Sequence, residues 1–291
     1  QKNLGAYHTP CSVLPFTQVD RLTYQPIIDK KDDKQYTTES LKKLDAYKDI
    51  FKGKSEIFRE VIASGLFKET FDDMTDKGND SILAIIYIDG NNMGQKVKDA
   101  TDKAKDKNGE VSYTSGINAL RKFSKETNQD FVKNPIAAIT KRLGTLYQEC
   151  LKKQEEQKEI NQKEAEEEQL KYLFRPIISG GDEITIVCNA HAVPEILKVY
   201  FETLTFSGSN NSACAGVALF HSHAPFADVY RIAEECCENG KKESHKKENE
   251  GKNYIDFHFC HAGITNSLEE IRETQEAEHT KRPYEYKDSW Q

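Results

Sequence analysis

RPIISGGDEITIV, residues 175–187, reads as two apolar strands folded about Gly180-Gly181, with Asp182 and Glu183 side by side at the turn. Glycines suit a tight hairpin because they adopt the left-handed conformations such turns need. The adjacent carboxylates serve no purpose in a plain turn. They repel each other inside an otherwise apolar stretch, and a divalent cation is the simplest group that would neutralise them. Taken alone, the motif fits an ordinary hairpin turn better than a metal-holding one, and only a second acid from elsewhere in the chain reverses that.

A second stretch, SILAIIYIDGNNMG at 81–94, supplies the partner. Its apolar residues run unbroken from Ile82 to Ile88, the pattern of a strand covered on both faces. Asp89 follows at the strand's end, where ligands bind in open α/β sheets. Between these segments, residues 95–172 read as a helical insertion, with Asn134-Pro135 as an N-cap and first-turn proline before Ile136, Ile139, Leu143, Leu146 and Tyr147. The polar run KKQEEQKEINQKEAEEEQ reads as solvated helix or hairpin.

Downstream, a helix to about Leu204, a buried strand ACAGVALF after the turn GSNNS, and a helix from Pro225 ending at Gly240-Lys241-Lys242 are expected. The strand YIDFHF and a tail helix opened by a Ser267/Glu270 capping box complete the chain. Upstream, DKGND is a turn, and two helices are expected between Glu39 and Phe71. The order from residue 81 is β, helical insert, β-turn-β, α, β: an α+β, ferredoxin-like (βαββαβ) fold with a long helical insertion. Three regions follow: an N-terminal arm with helices at 1–80, the palm-like domain at 81–265 and a helical tail at 266–291.

The 291 residues bury a sizeable core. A formal net charge of −7 argues against a general nucleic-acid coat protein. Seven cysteines, an odd number set mostly in apolar runs, fit buried thiols in a reducing, cytosolic compartment rather than a disulfide frame. No segment reads as a membrane span, so no membrane partner is expected. His8 and Cys11 (HTPC) could form half of a zinc site, but without a second pair nearby they read as structural. His221, His223, His258 and His261 lack ligand spacing, and Cys236-Cys237 read as core.

In such a fold strand one and the hairpin are central neighbours, so Asp89 and Asp182 converge. Two carboxylates from separate segments are the minimum for bridging two divalent ions in phosphoryl transfer. Glu183 adds a third ligand or a contact to the attacking hydroxyl. Gly180 and Gly181 let a triphosphate approach the backbone. Lys241 and Lys242 either neutralise phosphate or simply favour a helix C-terminus.

IYIDGNNMG, ISGGDEITIV and ACAGVALFHSHAPFADVYRIAEECCENGKK resemble the palm of GGDEF-type nucleotide cyclases. With the tail YIDFHFCHAGITNSLEEIRE…KRPYEY they are still more similar to the catalytic palm of the large polymerase/cyclase subunit of type III CRISPR complexes, which makes cyclic oligoadenylates from ATP. The resemblance covers roughly residues 81–288. It implies Mg2+ or Mn2+, two ions per site, on Asp89 and Asp182 with Glu183 in support. It also implies a nucleotide site at Gly90, Asn91, Asn92, Ser179, Gly180, Gly181, Lys241 and Lys242, where the two asparagines reach ribose or base or merely shape the turn. The partners it implies are nucleoside triphosphates and a second palm (a homodimer or a complex subunit), with nucleic acid as a conceivable activator.

The chain departs from that pattern. Glu183 stands where the CRISPR subunit usually has Asp, and Ile184 where GGDEF cyclases have Phe. No His-Asp dipeptide occurs, so the nuclease lobe is expected to be missing and the palm to be stand-alone or truncated. A nucleotidyltransferase or cyclase favouring ATP is the first expectation. A catalytically silent nucleotide-binding or scaffold palm is the second, and a diguanylate cyclase the third.

Overall fold

Ile82–Gly90 (β3) takes the centre of the sheet because no polar side chain interrupts it before Asp89. The structure is a computed structural model. It describes residues 18–20, 25–31, 34–51, 56–76, 81–156, 168–206, 210–260, 266–275 and 282–287. His8, Cys11 and His261, most of the DKGND turn, the first two residues of the GSNNS turn and most of the polar run after Lys153 lie outside the described residues.

The chain divides into two compact units, residues 1–59 and 60–291. In the first, β1 (Ile27–Lys31) and β2 (Lys34–Thr37) pair antiparallel ahead of α1 (Thr38–Phe51). Helix α2 (Glu56–Ala63) straddles the division. Sequence reading starts the palm at residue 81, whereas the packed unit starts at Glu60. Val61, Leu66 and Met74 are fully buried, and Leu66 O accepts from Phe174 N at 3.2 Å.

After β3 come α3 (Met93–Asp102), α4 (Tyr113–Asn128) and α5 (Asn134–Glu156). The hairpin is β4 (Phe174–Gly180) and β5 (Glu183–Asn189). Then follow α6 (Val193–Phe206), β6 (Ala213–His221), α7 (Phe226–Ser244), β7 (Tyr254–Phe259), α8 (Leu268–Gln275) and β8 (Tyr284–Glu285). The sheet order is β4-β5-β3-β6-β7-β8. Its first four strands have the ferredoxin-like arrangement, all antiparallel, with β3 and β5 at the centre. β7 adds parallel to β6 through the α7 crossover.

Strand alternation divides the core between two faces. Leu83, Ile85 and Tyr87 join Val187, Cys214, Ala218 and Phe220 under Val229, Ile232, Ala233, Cys236 and Cys237 of α7. Ala84, Ile86 and Ile88 point to the other face and are fully buried as well. There α5 and α6, which pack on each other, bring Ile136, Ile139, Ile196, Tyr200 and Phe201.

Two local expectations are corrected. Asn134 does not cap a new helix: α4, a π-turn at Gln129–Lys133 and α5 run on continuously, and Asn134 has helical φ and ψ. Pro135 has no N–H for the Phe131 carbonyl four residues back. The Tyr200 hydroxyl donates to that carbonyl instead, at 3.1 Å, and the π-turn absorbs the proline's bulk. Gly240 is not a helix end either, since α7 continues to Ser244. It is a close approach: a Cβ there would lie 3.2 Å from Cys214 Cβ. One strand-step along, a Cβ on Gly216 would fall 1.9 Å from Ala233 O. Glycine at both positions lets α7 lie directly on β6.

The tail capping box forms as read, with Ser267 N donating to Glu270 Oε2 at 3.2 Å and Glu270 N to Ser267 Oγ at 3.3 Å. Cys236 and Cys237 are buried, and the described cysteines are free thiols.

Candidate active site

The end of β3 that carries Asp89 meets the end of β4, the start of β5 and the start of β6 at one edge of the sheet. Gly180 pairs with Glu183, Ile88 with Ile184, and Asp89 with Cys214. The apolar run of β3 and the hairpin register thus deliver acids from two segments to one place. Gly181 holds the turn with φ +64, a left-handed conformation suited to glycine. A Cβ on Gly180 would meet nothing within 4 Å, so packing does not require glycine there.

Asp182 lies against Gly90: a Cβ placed on Gly90 would be 3.0 Å from both Asp182 Cβ and Oδ2. Burial, then the hydrogen-bonded and charged Asp89 carboxyl beside it, push the Asp182 carboxyl up to about 6. Lys241 opposes that rise. Its ammonium donates to Asp89 Oδ2 at 2.5 Å and to Gly90 O at 3.1 Å, with both side chains about three-quarters buried. Glu183 is raised as well, by burial and then by Asp89 and Glu234, while the Tyr230 hydroxyl favours its charged form.

The predicted residues therefore separate. Asp89, Gly90, Asp182, Glu183 and Lys241 come together, with Gly180 and Gly181 at the rim. Asn91 turns inward: it is 2% exposed, its Nδ2 donates to Ser212 Oγ and Lys252 O, and its Oδ1 accepts from Cys214 Sγ. Asn92 shapes the turn at φ 58 and is exposed. Ser179 is partly buried on β4, and Lys242 points to solvent one position round the helix from Lys241.

Two neighbours escape the sequence reading. Tyr230 lies eleven residues before Lys241, three helical turns along the same side of α7, and this spacing is the signal that could have found it. Lys96, one turn into α3, is half-buried between Asp182 and Asp130. Its Nζ donates to Asn211 Oδ1 at 2.9 Å, and its position four residues after Asn92 is the only cue.

Asp89 and Asp182 form a crowded carboxylate pair with too little positive charge, which fits a divalent cation's donor chemistry. Among the described residues no three His, Cys, Asp or Glu side chains stand ready-made around a metal. The histidines do not provide one: His221 and His223 stack edge-on, and His223 faces Asp72 at 3.5 Å.

An antiparallel ferredoxin-like sheet with acids at the end of its first strand and at its hairpin turn defines a palm domain. The family model described as Cas10/Cmr2, second palm domain, matches residues 82–255, more than half of the chain, and the chain belongs to that family. It is thereby related to the type III CRISPR polymerase/cyclase subunit. No match was found among curated proteins. Among solved structures, a chain of the crystal structure of a Csm1-Csm4 cassette in complex with cA4 is similar, with a TM-score of 0.39 and 13% identity over 64% of this chain and 22% of that one. The present chain thus spans about a fifth of that solved chain's length. Among the described residues no helix is long and apolar enough to cross a membrane.

Proposed function

We propose that the chain is a metal-dependent nucleotidyltransferase of the CRISPR-polymerase palm type, joining nucleoside triphosphates, ATP in the first place, into oligomeric or cyclic products. The observation that carries this reading is the meeting of Asp89 and Asp182 from separate segments. Asp89 and Asp182 would hold Mg2+ or Mn2+, with Glu183 in support. When bound, two such ions supply Lewis-acid stabilisation of the charge that develops as a ribose hydroxyl attacks an α-phosphate and pyrophosphate leaves.

The chain's own residues position the reactants. Gly180 and Gly181 leave the backbone open to a triphosphate, and Lys241 neutralises phosphate charge from the α7 side. Catalysis by position and electrostatics needs no dedicated protein base. A palm holds one nucleotide well, so joining two calls for a second palm, from another copy or a complex partner.

A catalytically silent palm is the second reading, and the Lys241–Asp89 ion pair favours it, because a lysine-neutralised carboxylate has less need of a metal ion. Incubation of the full chain with each NTP and Mn2+ or Mg2+, with products resolved by mass spectrometry, separates the two. The polymerase reading expects a product that disappears in Asp182→Ala. Metal-dependent NTP binding without product would establish the silent palm instead.

A further inference from the structure

Two lysines act on the paired acids, and they differ in what they touch. Lys241 rests directly on Asp89, its Nζ 2.5 Å from Oδ2. Lys96 comes from α3 rather than α7 and ion-pairs with no carboxylate among the described residues. Its Nζ donates to two neutral oxygens, Asn211 Oδ1 at 2.9 Å and Asn210 O at 3.3 Å, and faces the Phe131 ring at 5.7 Å. Half-buried, it is attracted first by Asp182 and then by Asp130 without meeting either.

An ammonium drawn partly out of water is costly unless an anion meets it. Here the surroundings fix the position of the ammonium and leave its charge unmatched. Asn211 is held by its own Nδ2, which donates to Asp130 Oδ2 at 3.2 Å, so its oxygen stays turned toward Lys96. Asp130 thus stands behind the amide rather than on the ammonium. At the base of the side chain, Lys96 N donates to Asn92 O at 3.1 Å. A lysine needed only to tie α3 to residues 210–211 would be better matched by a carboxylate in contact than by two neutral oxygens.

The separation between Lys96 and Asp182 therefore has a defined chemistry. A group that closes it must offer negative oxygen to the ammonium and, through a divalent ion, positive charge to the carboxylate. A metal-bound phosphate does both. Lys241 is the weaker candidate for that contact, since its charge is already met by Asp89. In the proposed reaction the α-phosphate belongs with the ions on Asp89 and Asp182, which touch each other, and Lys96 lies outside that pair. The phosphates beyond the α-phosphate are the pyrophosphate that leaves, taking the electron pair of the broken Pα–O bond. A fixed cation is most useful where that charge accumulates.

We infer that Lys96 binds the pyrophosphate part of the nucleoside triphosphate, holding it from the α3 side while Asn211 and Phe131 keep the ammonium in place. The inference rests on the proposed metal site but not on turnover, because a palm that binds without reacting would hold the same phosphates.

The test is calorimetric titration of the full chain, first with Mn2+ and then, once Mn2+ is bound, with inorganic pyrophosphate. Lys96→Met and Lys96→Gln both lose the charge, the first keeping the stem and the second a donor for Asn211. Each should bind Mn2+ no more weakly than the original chain and pyrophosphate roughly 10- to 100-fold more weakly. Lys96→Arg restores the charge and should recover pyrophosphate affinity to within about fivefold. Thermal melts establish which variants are folded. Unchanged pyrophosphate affinity in a folded, uncharged variant overturns the inference, and a lowered melting temperature beside it assigns Lys96 to the α3 contact alone. An original chain that binds Mn2+ but not pyrophosphate also overturns it, while leaving the metal site standing. No Mn2+ binding at all would remove the metal site and the inference together.

Discussion

Replacing Asp182 by asparagine should make the chain more stable at neutral pH. The carboxyl titrates at about 6 in the folded chain because it is buried against Asp89, and near 4 when unfolded. Between those values the folded state holds more protons than the unfolded state, so stability falls as pH rises through that window. The full penalty is present above about pH 6 and absent below about pH 4. Two decades correspond to roughly 3 kcal/mol at about 1.36 kcal/mol per decade. Partial exposure of Asp182 and the nearby Lys241 reduce this to about 1–2 kcal/mol. Asparagine keeps the shape and removes the charge. Urea denaturation in EDTA should give Asp182→Asn an advantage of that size at pH 7.5, shrinking towards zero at pH 4.5. An equal difference at both pH values, or a less stable variant at pH 7.5, would refute the argument that Asp182 is held under electrostatic strain.

Three further outcomes follow from packing and hydrogen bonding. Gly216→Ala drives a methyl into the α7 backbone at Ala233 O and should cost about 3 kcal/mol or prevent folding, whereas Gly144→Ala, in open space within α5, should gain about 0.5–1 kcal/mol; thermal melts compare them. Arg272 donates from both Nη atoms to the fully buried Asp256, each at 2.9 Å, so Arg272→Ala should destabilise by about 3–5 kcal/mol in the same assay. Tyr200→Phe removes the hydroxyl that stands in for the Pro135 N–H on Phe131 O and should cost about 1–2 kcal/mol, with hydrogen exchange accelerating first around the π-turn.

Much of this was legible in the residues because strands buried on both faces leave an unmistakable mark. The unbroken run of β3, the glycine-interrupted hairpin and the apolar ACAGVALF mark all four ferredoxin-like strands, and strand order then brings Asp89 to Asp182. What failed to show was chemistry supplied from across the fold. Asn134-Pro135 carries every local sign of a helix start, yet Tyr200, sixty-odd residues on, satisfies the carbonyl that the proline leaves without a donor. Gly240 looks like a helix end because its reason, the Cys214 side chain beneath it, belongs to another strand. Asn91 reads equally as a ligand contact and as a turn residue because its burial beneath Ser212, Cys214 and Lys252 cannot be seen from its neighbours in sequence. Lys96 offers only its place four residues after Asn92, and the eleven-residue spacing of Tyr230 from Lys241 gains meaning only once Lys241 is known to face the acids.

The proposed function requires Asp89 and Asp182 to act together on a divalent cation, and Mn2+ binding to the full chain tests this before any product is sought. Calorimetry or the electron paramagnetic resonance signal of free Mn2+ should show saturable binding that strengthens between pH 5.5 and 7.5, as Asp182 loses its proton, and that is lost in Asp89→Asn. No saturable binding, or binding that Asp89→Asn leaves intact, would contradict it.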